Sequence, residues 1–363
     1  MTAVTTPPSA TEAVALADHT TLRLGGPAAR FVNATTSAEL VEVVRAADSS
    51  SESLLVLGGG SNLVIADEGF DGTVVRIGTS GRRIDRLSDG RVQLTVEAGE
   101  DWDDVVAHTV ANDLGGLECL SGIPGLVGAT PVQNVGAYGV EITDVLVSVD
   151  LLDRESGQVR MVPAAELGLA YRTSVLKGKD NAVVLRARYS LTDGGRSAPI
   201  AYAELARTLG VEVGERAPVG EVRKTVLELR RGKGMVLDPV DNDTWSAGSF
   251  FTNPILAEHD LPGVLERITA VVGQDVPVPS FPATEGHVKL SAAWLIERAG
   301  FRKGHSARDG RVSLSTKHTL ALTNRGSART EDLLALAAEV RDGVASAFGV
   351  RLHPEPVLIG CSL

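Results

Sequence analysis

Ser53-Leu54-Leu55-Val56-Leu57-Gly58-Gly59-Gly60-Ser61-Asn62 is a short apolar run that passes straight into a glycine triplet. The run is too short for a helix and reads as a buried strand. A glycine loop at the end of a strand lets backbone N–H groups approach a pyrophosphate, because no Cβ stands in the way. The stretch is not the dinucleotide fingerprint of a Rossmann fold, since the third glycine of GxGxxG would fall at Leu63, and the chain contains no GxxxxGK[ST]. Taken alone, a glycine triplet serves any tight turn of positive φ equally well.

Working outward, Thr36-Ser37-Ala38-Glu39 has the form of a capping box, and Leu40, Val43, Val44 and Ala47 follow at helical spacing, which predicts a helix to about Asp48. Strands are expected at Thr73 to Ile77 and at Val92 to Ala98, where apolar and polar residues alternate. A helix should follow, with Trp102, Val105, Val106 and Val110 inward, Asp101 as its cap and Gly115-Gly116 as its stop. Further strands are expected at Val145 to Asp150 and Ala182 to Leu191. Helices are expected at Val219 to Arg231, Ser291 to Ala299 and Glu331 to Phe348, the last with Leu333, Leu334, Ala337, Val340 and Val344 on one face. Glu355 to Gly360 reads as a final strand. Strands and helices mixed without strict βα alternation favour an α+β fold over a doubly wound sheet.

The 363 residues suggest two or three domains, and 43% apolar with 22% charged content is that of an ordinary globular protein. The opening residues, rich in Thr, Ser, Pro and Ala with no apolar period, are expected to form a disordered leader over 1–19. No run approaches the roughly 18 apolar residues of a membrane span, and Met1 to Ala10 lacks the pattern of a secretory signal, so a cytoplasmic location without membrane insertion is expected. Cys119 and Cys361 are too few for a disulfide framework. The seven histidines form no HxH or HExxH grouping, so no metal site is expected. A net charge of −11 argues against nucleic acid as a partner, although local cations can still hold phosphate on a small ligand.

A second glycine-rich loop strengthens the first: Ser121-Gly122-Ile123-Pro124-Gly125, then Gly128, then Gln133-Asn134-Val135-Gly136-Ala137-Tyr138-Gly139. Two such loops with amide side chains suit a long, extended cofactor better than a mononucleotide, although Asn and Gly gather in any tight loop. Together with Tyr171-Arg172, Gly248-Ser249-Phe250-Phe251-Thr252-Asn253-Pro254, Lys289-Leu290-Ser291-Ala292-Ala293-Trp294-Leu295-Ile296 and Pro354-Glu355, the chain resembles the UDP-N-acetylenolpyruvoylglucosamine reductase family over about Thr20 to Gly360. It departs at its end, where many members read Pro-Glu-Val-Arg and this chain reads Pro354-Glu355-Pro356-Val357.

The resemblance implies a two-part FAD-binding module of the vanillyl-alcohol-oxidase type, residues 20–90 and 91–233, followed by a C-terminal α+β substrate-binding domain, 234–349, and a segment returning to the active site, 350–363. It implies hydride transfer from NADPH by way of FAD to an enolpyruvyl ether, giving UDP-N-acetylmuramate for peptidoglycan synthesis. FAD would lie on Gly58, Gly59, Gly60, Ser61 and Asn62, and on Ile123, Pro124, Gly128, Ala129, Thr130, Gln133, Asn134, Gly136, Ala137, Tyr138 and Gly139. Ser249 would be the proton donor, with Arg172 and Glu355 polarising the substrate carboxylate. Tyr202, Arg230, Lys233, Asn253, Lys289 and Lys303 would hold the UDP-sugar. On residue type alone, Ser249 could be an ordinary turn residue, Arg172 a surface ion-pair partner and Arg230 a solvated helix end. Two other functions fit parts of the pattern: a flavin-dependent sugar or alcohol oxidase, and a nucleotide-sugar-binding regulator without turnover.

Overall fold

Thr36 Oγ1 accepts a hydrogen bond from the Glu39 amide, and the Glu39 carboxylate accepts one from the Thr36 amide, so helix α1 (Ser37–Ser50) starts at the expected capping box. Its buried Leu40, Val43, Val44 and Ala47 face a sheet ordered Ala10–Ala15, Pro27–Ala34, Phe70–Ile77, Leu54–Leu57. The last three strands pair in parallel, and Val32, Ala34, Val75 and Ile77 meet Leu40, Val43 and Val44 in one cluster. Parallel pairing puts the ends of these strands on one side, and Gly58 follows the last residue of Leu54–Leu57 there. The structure, a computed structural model, describes residues 10–88 and 90–363. They divide into two units: 10–14, 28–60 and 70–236 form the first, and 15–27, 61–69 and 237–363 the second.

A second sheet of the first unit is antiparallel, in the order Val159–Pro163, Leu146–Asp153, Ala182–Thr192, Arg91–Glu97, Arg82–Arg86. Its buried Val92, Leu94, Val96 and Tyr189 share a core with Trp102, Val105 and Val106 of helix α2 (Trp102–Ala111), whose start is capped by Asp101 accepting from the Asp104 amide at 3.1 Å. The helix stops earlier than the Gly115-Gly116 pair suggests. Asp113 turns left-handed at φ 56° and the Leu114 amide reaches back to Thr109 O, so the chain has already left the helix. Gly115 instead bridges to Thr192, where a Cβ would stand 2.1 Å from Arg196 O. Helices α3 (Ala203–Leu209) and α4 (Val219–Gly232) add Leu205, Val222 and Val226 to the same core.

The second unit carries helices α5 (Leu261–Val272), α6 (Ala292–Arg298) and α7 (Thr330–Phe348). Two short antiparallel sheets accompany them: Ile255–Ala257, His287–Leu290, Ser280–Pro282 in that order, and Ser306–Ala307, Val312–Leu314, Leu322–Asn324. The inner face of α7 is Leu333, Leu336, Ala337, Val340 and Val344; Leu336 replaces the expected Leu334, which is only half buried. The closing strand, Val357–Ile359, runs parallel to Leu63–Ile65. Just beyond that strand, Asp67 accepts from the amides of Thr330 at 2.8 Å and Glu331 at 3.0 Å, the unpaired donors at the start of α7.

The expected leader needs correction. Residues 1–9 lie outside the described residues, but Ala10–Ala15 is a strand and Leu16–His19 a 3-10 helix whose Leu16 is fully buried. Backbone pairing of Leu16 with Gly26 and of Ala17 with Gly25 supplies the order that composition did not signal. Among the described residues no helix is long and apolar enough to cross a membrane. Replacing Asp67 by Ala removes both acceptors from the α7 terminus, and the expected loss is about 1–2 kcal/mol, as for a deleted N-cap. Urea denaturation with α-helical circular dichroism measures it, and an unmoved midpoint would mean that water replaces the carboxylate at no cost.

Candidate functional site

In the first unit the two glycine loops meet backbone to backbone. A Cβ on Gly59 would lie 2.8 Å from Gly125 Cα and 3.3 Å from Gly125 C. The second loop is anchored where the antiparallel sheet meets α2: Gly125 O accepts from the Trp102 amide, the Val127 amide donates to Glu100 O and the Gly128 amide to Ala98 O. Gly128 is required there because a Cβ would come 2.7 Å from Ala98 Cβ. Gly58 differs, having nothing within 4 Å of its Cβ position. Among the described residues, the amides of Gly59 and Gly60 donate to no protein group. Open space beside Gly58 and donors without protein acceptors suit the pyrophosphate of FAD.

Other members of the second loop are structural in their side chains. Asn134 is fully buried; its Nδ2 donates to Glu141 Oε2 and Ala170 O, and its Oδ1 accepts from the Thr143 amide. Thr130 Oγ1 donates to Val127 O and lies 3.0 Å from the Tyr189 hydroxyl. Ile123, Pro124, Gln133, Gly136, Ala137 and Tyr138 are half-buried, while Ala129 and Gly139 are exposed. Asn134, Tyr138 and Arg172 all have left-handed backbones, at φ 48°, 52° and 52°. Such conformations cost bulky residues about 1–2 kcal/mol each and gather at functional sites. Arg172 is tied to the loop between the other two, for its Nη2 donates to Gly136 O at 2.8 Å.

The same unit gathers three further candidates around Tyr138. Tyr138 packs edge-on against Tyr202, ring centroids 5.4 Å apart. Lys233, at the end of α4, donates to Glu204 Oε2 at 2.9 Å. Arg230 is not the solvated helix end its position allowed. Its Nη2 donates to Gly122 O and Met235 O, and its Nε is buried without an acceptor. Burial pulls the Arg230 pKa down to about 10, against the pull of Tyr138 and Asp103. Burial also raises the Tyr138 hydroxyl, while Lys233 and Arg230 oppose that shift. Asp103 would itself be raised by burial, but bidentate Arg223 and the Gly122 amide hold it below the usual carboxylate range. Arg230 is therefore a desolvated cation, and Asp103, the carboxylate whose charge acts on it, is already engaged.

The second unit assembles another group. Gly248, at φ 73°, turns the chain so that Phe250 and Phe251 enter the core together and Ser249 stays half-buried at the turn. Phe250 O accepts from the Glu355 amide at 2.9 Å and the Thr252 amide donates to His353 O, so Ser249 and Glu355 flank one ladder. Ser61 is half-buried beside Asn62. Asn62 O accepts from the Val357 amide, and its Nδ2 reaches Glu355 O at 3.5 Å. Asn253 Oδ1 accepts from the Ala292 amide at the start of α6, and Lys289 stands opposite Ile255 and Phe281 in the adjacent sheet. Lys303 lies apart from these contacts, exposed on the turn after α6. Reading the sequence missed Asp103, Glu141 and Glu204. Each is an acidic residue in a helix turn or beside a loop, where acidic residues are ordinary, so nothing in the pattern marked them.

A family model described as an FAD binding domain matches residues 28–162, which with the two loops defines a flavin-dependent oxidoreductase. The model described as UDP-N-acetylenolpyruvoylglucosamine reductase, C-terminal domain, matches residues 238–359. The UDP-N-acetylenolpyruvoylglucosamine reductase of Saccharopolyspora erythraea is 68% identical over 98% of this chain and 97% of its own length. That of Thermobifida fusca is 56% identical over 96% and 98%. The crystal structure of the Thermus caldophilus enzyme of the same name, 27% identical, covers 96% of this chain and 98% of its own with a TM-score of 0.64. The chain belongs to the UDP-N-acetylenolpyruvoylglucosamine reductase family.

The contrast between adjacent glycines yields a test. Gly58→Val places its side chain in open space and should leave the melting temperature of the flavin-free protein unchanged while lowering the flavin-to-protein ratio. Gly59→Ala must displace the second loop and should lower both. A full flavin complement in Gly58→Val would move the pyrophosphate away from this loop.

Proposed function

We propose that the residues gathered in each unit serve the reduction of the enolpyruvyl ether of UDP-N-acetylenolpyruvoylglucosamine to UDP-N-acetylmuramate, a step of peptidoglycan synthesis, with FAD and NADPH as cofactors. The contact of Gly59 with Gly125, with open space beside Gly58, is the observation that carries the flavin assignment. FAD, when bound, relays a hydride from NADPH to the terminal vinyl carbon of the substrate. Gly58, Gly59, Gly60, Ser61 and Asn62, with Ile123, Pro124, Gly128 and Ala129, would hold it largely through backbone. In this reading residues 20–90 and 91–233 carry the cofactor, 234–349 the substrate, and 350–363 brings Glu355 to the reaction. A cytoplasmic location is part of the same reading.

Hydride arrival at the vinyl terminus leaves negative charge on the neighbouring carbon and its carboxylate, so cations and donors aimed at that carboxylate lower the barrier. Arg172 is a permanent cation able to grip a carboxylate with two N–H groups. Glu355 acts as a protonated donor, and Ser249 delivers the proton that completes the lactyl group. Arg230 and Lys233 neutralise the diphosphate, Tyr202 covers the nucleotide, and Asn253 and Lys289 hold the sugar, while Lys303, exposed and apart from their contacts, is assigned to it on resemblance alone. An oxidase would instead need a base to take a hydroxyl proton, and this residue set is built for protonation.

The assigned roles act in one half-reaction only. Ser249→Ala should keep its FAD and bleach with NADPH at the normal rate, then reoxidise with the enolpyruvyl substrate about 10²–10⁴-fold more slowly, the usual worth of a general acid. Stopped-flow absorbance of each half-reaction separates the two. Equal slowing of both would make Ser249 structural.

A further inference from the structure

Glu204 is an acidic residue in a cluster otherwise suited to anions. It lies in the first turn of α3, two residues after Tyr202, and its Oε2 accepts from Lys233 Nζ at 2.9 Å. The two side chains keep 33% and 38% of their surface exposed, so solutes can reach the pair. Burial alone would lower Lys233, yet the hydrogen bond to Glu204 and the neighbouring Tyr138 hold it above the usual lysine range. Arg230 is the other cation near Tyr138, and the carboxylate next to it, Asp103, is held by Arg223 and the Gly122 amide. Glu204 is therefore the carboxylate that engages this cation pair directly, and it engages the more accessible member.

A diphosphate seated on Arg230 and Lys233 would meet Glu204 as a like charge competing for the same ammonium. More than a third of the pair's surface is open to solvent, so the bond is weak enough for a dianion to displace it. Tyr202 sits at the start of the same short helix and its ring rests on Tyr138, so movement of Glu204 away from Lys233 occurs at the helix end that carries the aromatic contact.

We infer that Glu204 is a positioning residue that occupies the Lys233 ammonium as an internal anion and is displaced by the diphosphate of the substrate, setting nucleotide affinity and its salt dependence. The inference rests on the assignment of Lys233 to the diphosphate. Isothermal titration of UDP into the FAD-loaded enzyme tests both, using Glu204→Gln, Glu204→Asp and Lys233→Met at low and high salt.

Glu204→Gln should bind UDP about three- to tenfold tighter at low salt, with the gain shrinking at high salt, and should lower KM for the UDP-sugar in parallel. Glu204→Asp, one methylene shorter, should fall between wild type and Gln. Unchanged or weaker UDP binding by Glu204→Gln overturns the inference, and so does a loss of flavin or a lowered melting temperature in that variant, which would make the carboxylate structural. Lys233→Met should weaken UDP binding. If it does not, the diphosphate assignment itself falls; if it does while Glu204→Gln is silent, only the role of Glu204 is lost.

Discussion

Gly59 and Gly125 touch through backbone, with no room for one methyl group between them. That contact joins the end of a parallel strand to a loop hung from the antiparallel sheet and α2. Removing side chains there does two things at once. It lets two pieces of irregular backbone pack at van der Waals distance, and it leaves N–H groups beside Gly58 exposed to an anion. In the proposed reading folding and cofactor binding would draw on the same glycines, and Gly58, with free space at its Cβ position, separates the two demands.

The electrostatics follow a similar economy. The protein carries a net charge of −11, yet Arg230 is half-buried, its Nε enclosed without an acceptor, and among the described residues it forms no ion pair. Its cost of desolvation is visible in a pKa drawn down to about 10. The nearby Asp103 does not neutralise it, because Arg223 binds Asp103 through both oxygens. A cation left under-compensated in this way keeps its field for an anionic ligand. Lys233 is treated differently, being paired with a carboxylate that is itself partly exposed.

In the second unit, two adjacent phenylalanines anchor a loop whose proposed proton donor is the serine before them. Phe250 and Phe251 are both buried and pack edge to face, 5.2 Å between centroids. The backbone bond from Glu355 to Phe250 then places the C-terminal segment against that anchored loop. Asn253, three residues on, ties the same loop to the start of α6. Apolar burial supplies the rigidity, and the polar groups take their positions from it.

Local pattern alone determined the capping box of α1, the cap of α2 by Asp101, the amphipathic α4 and α7, and the strand leading into Gly58, because each depends on residues within one or two turns of each other. The long motifs were also enough to point to the family. The order of Ala10 to His19, the early end of α2 and the contact of Gly59 with Gly125 were decided by tertiary structure, since each depends on backbone brought from elsewhere in the chain. The same holds for charge. An arginine at the end of a helix reads as solvated whether or not it is, and only the fold, by closing Gly122 and Met235 over Arg230 and giving Asp103 to Arg223, turned that residue into a half-buried cation with an enclosed Nε.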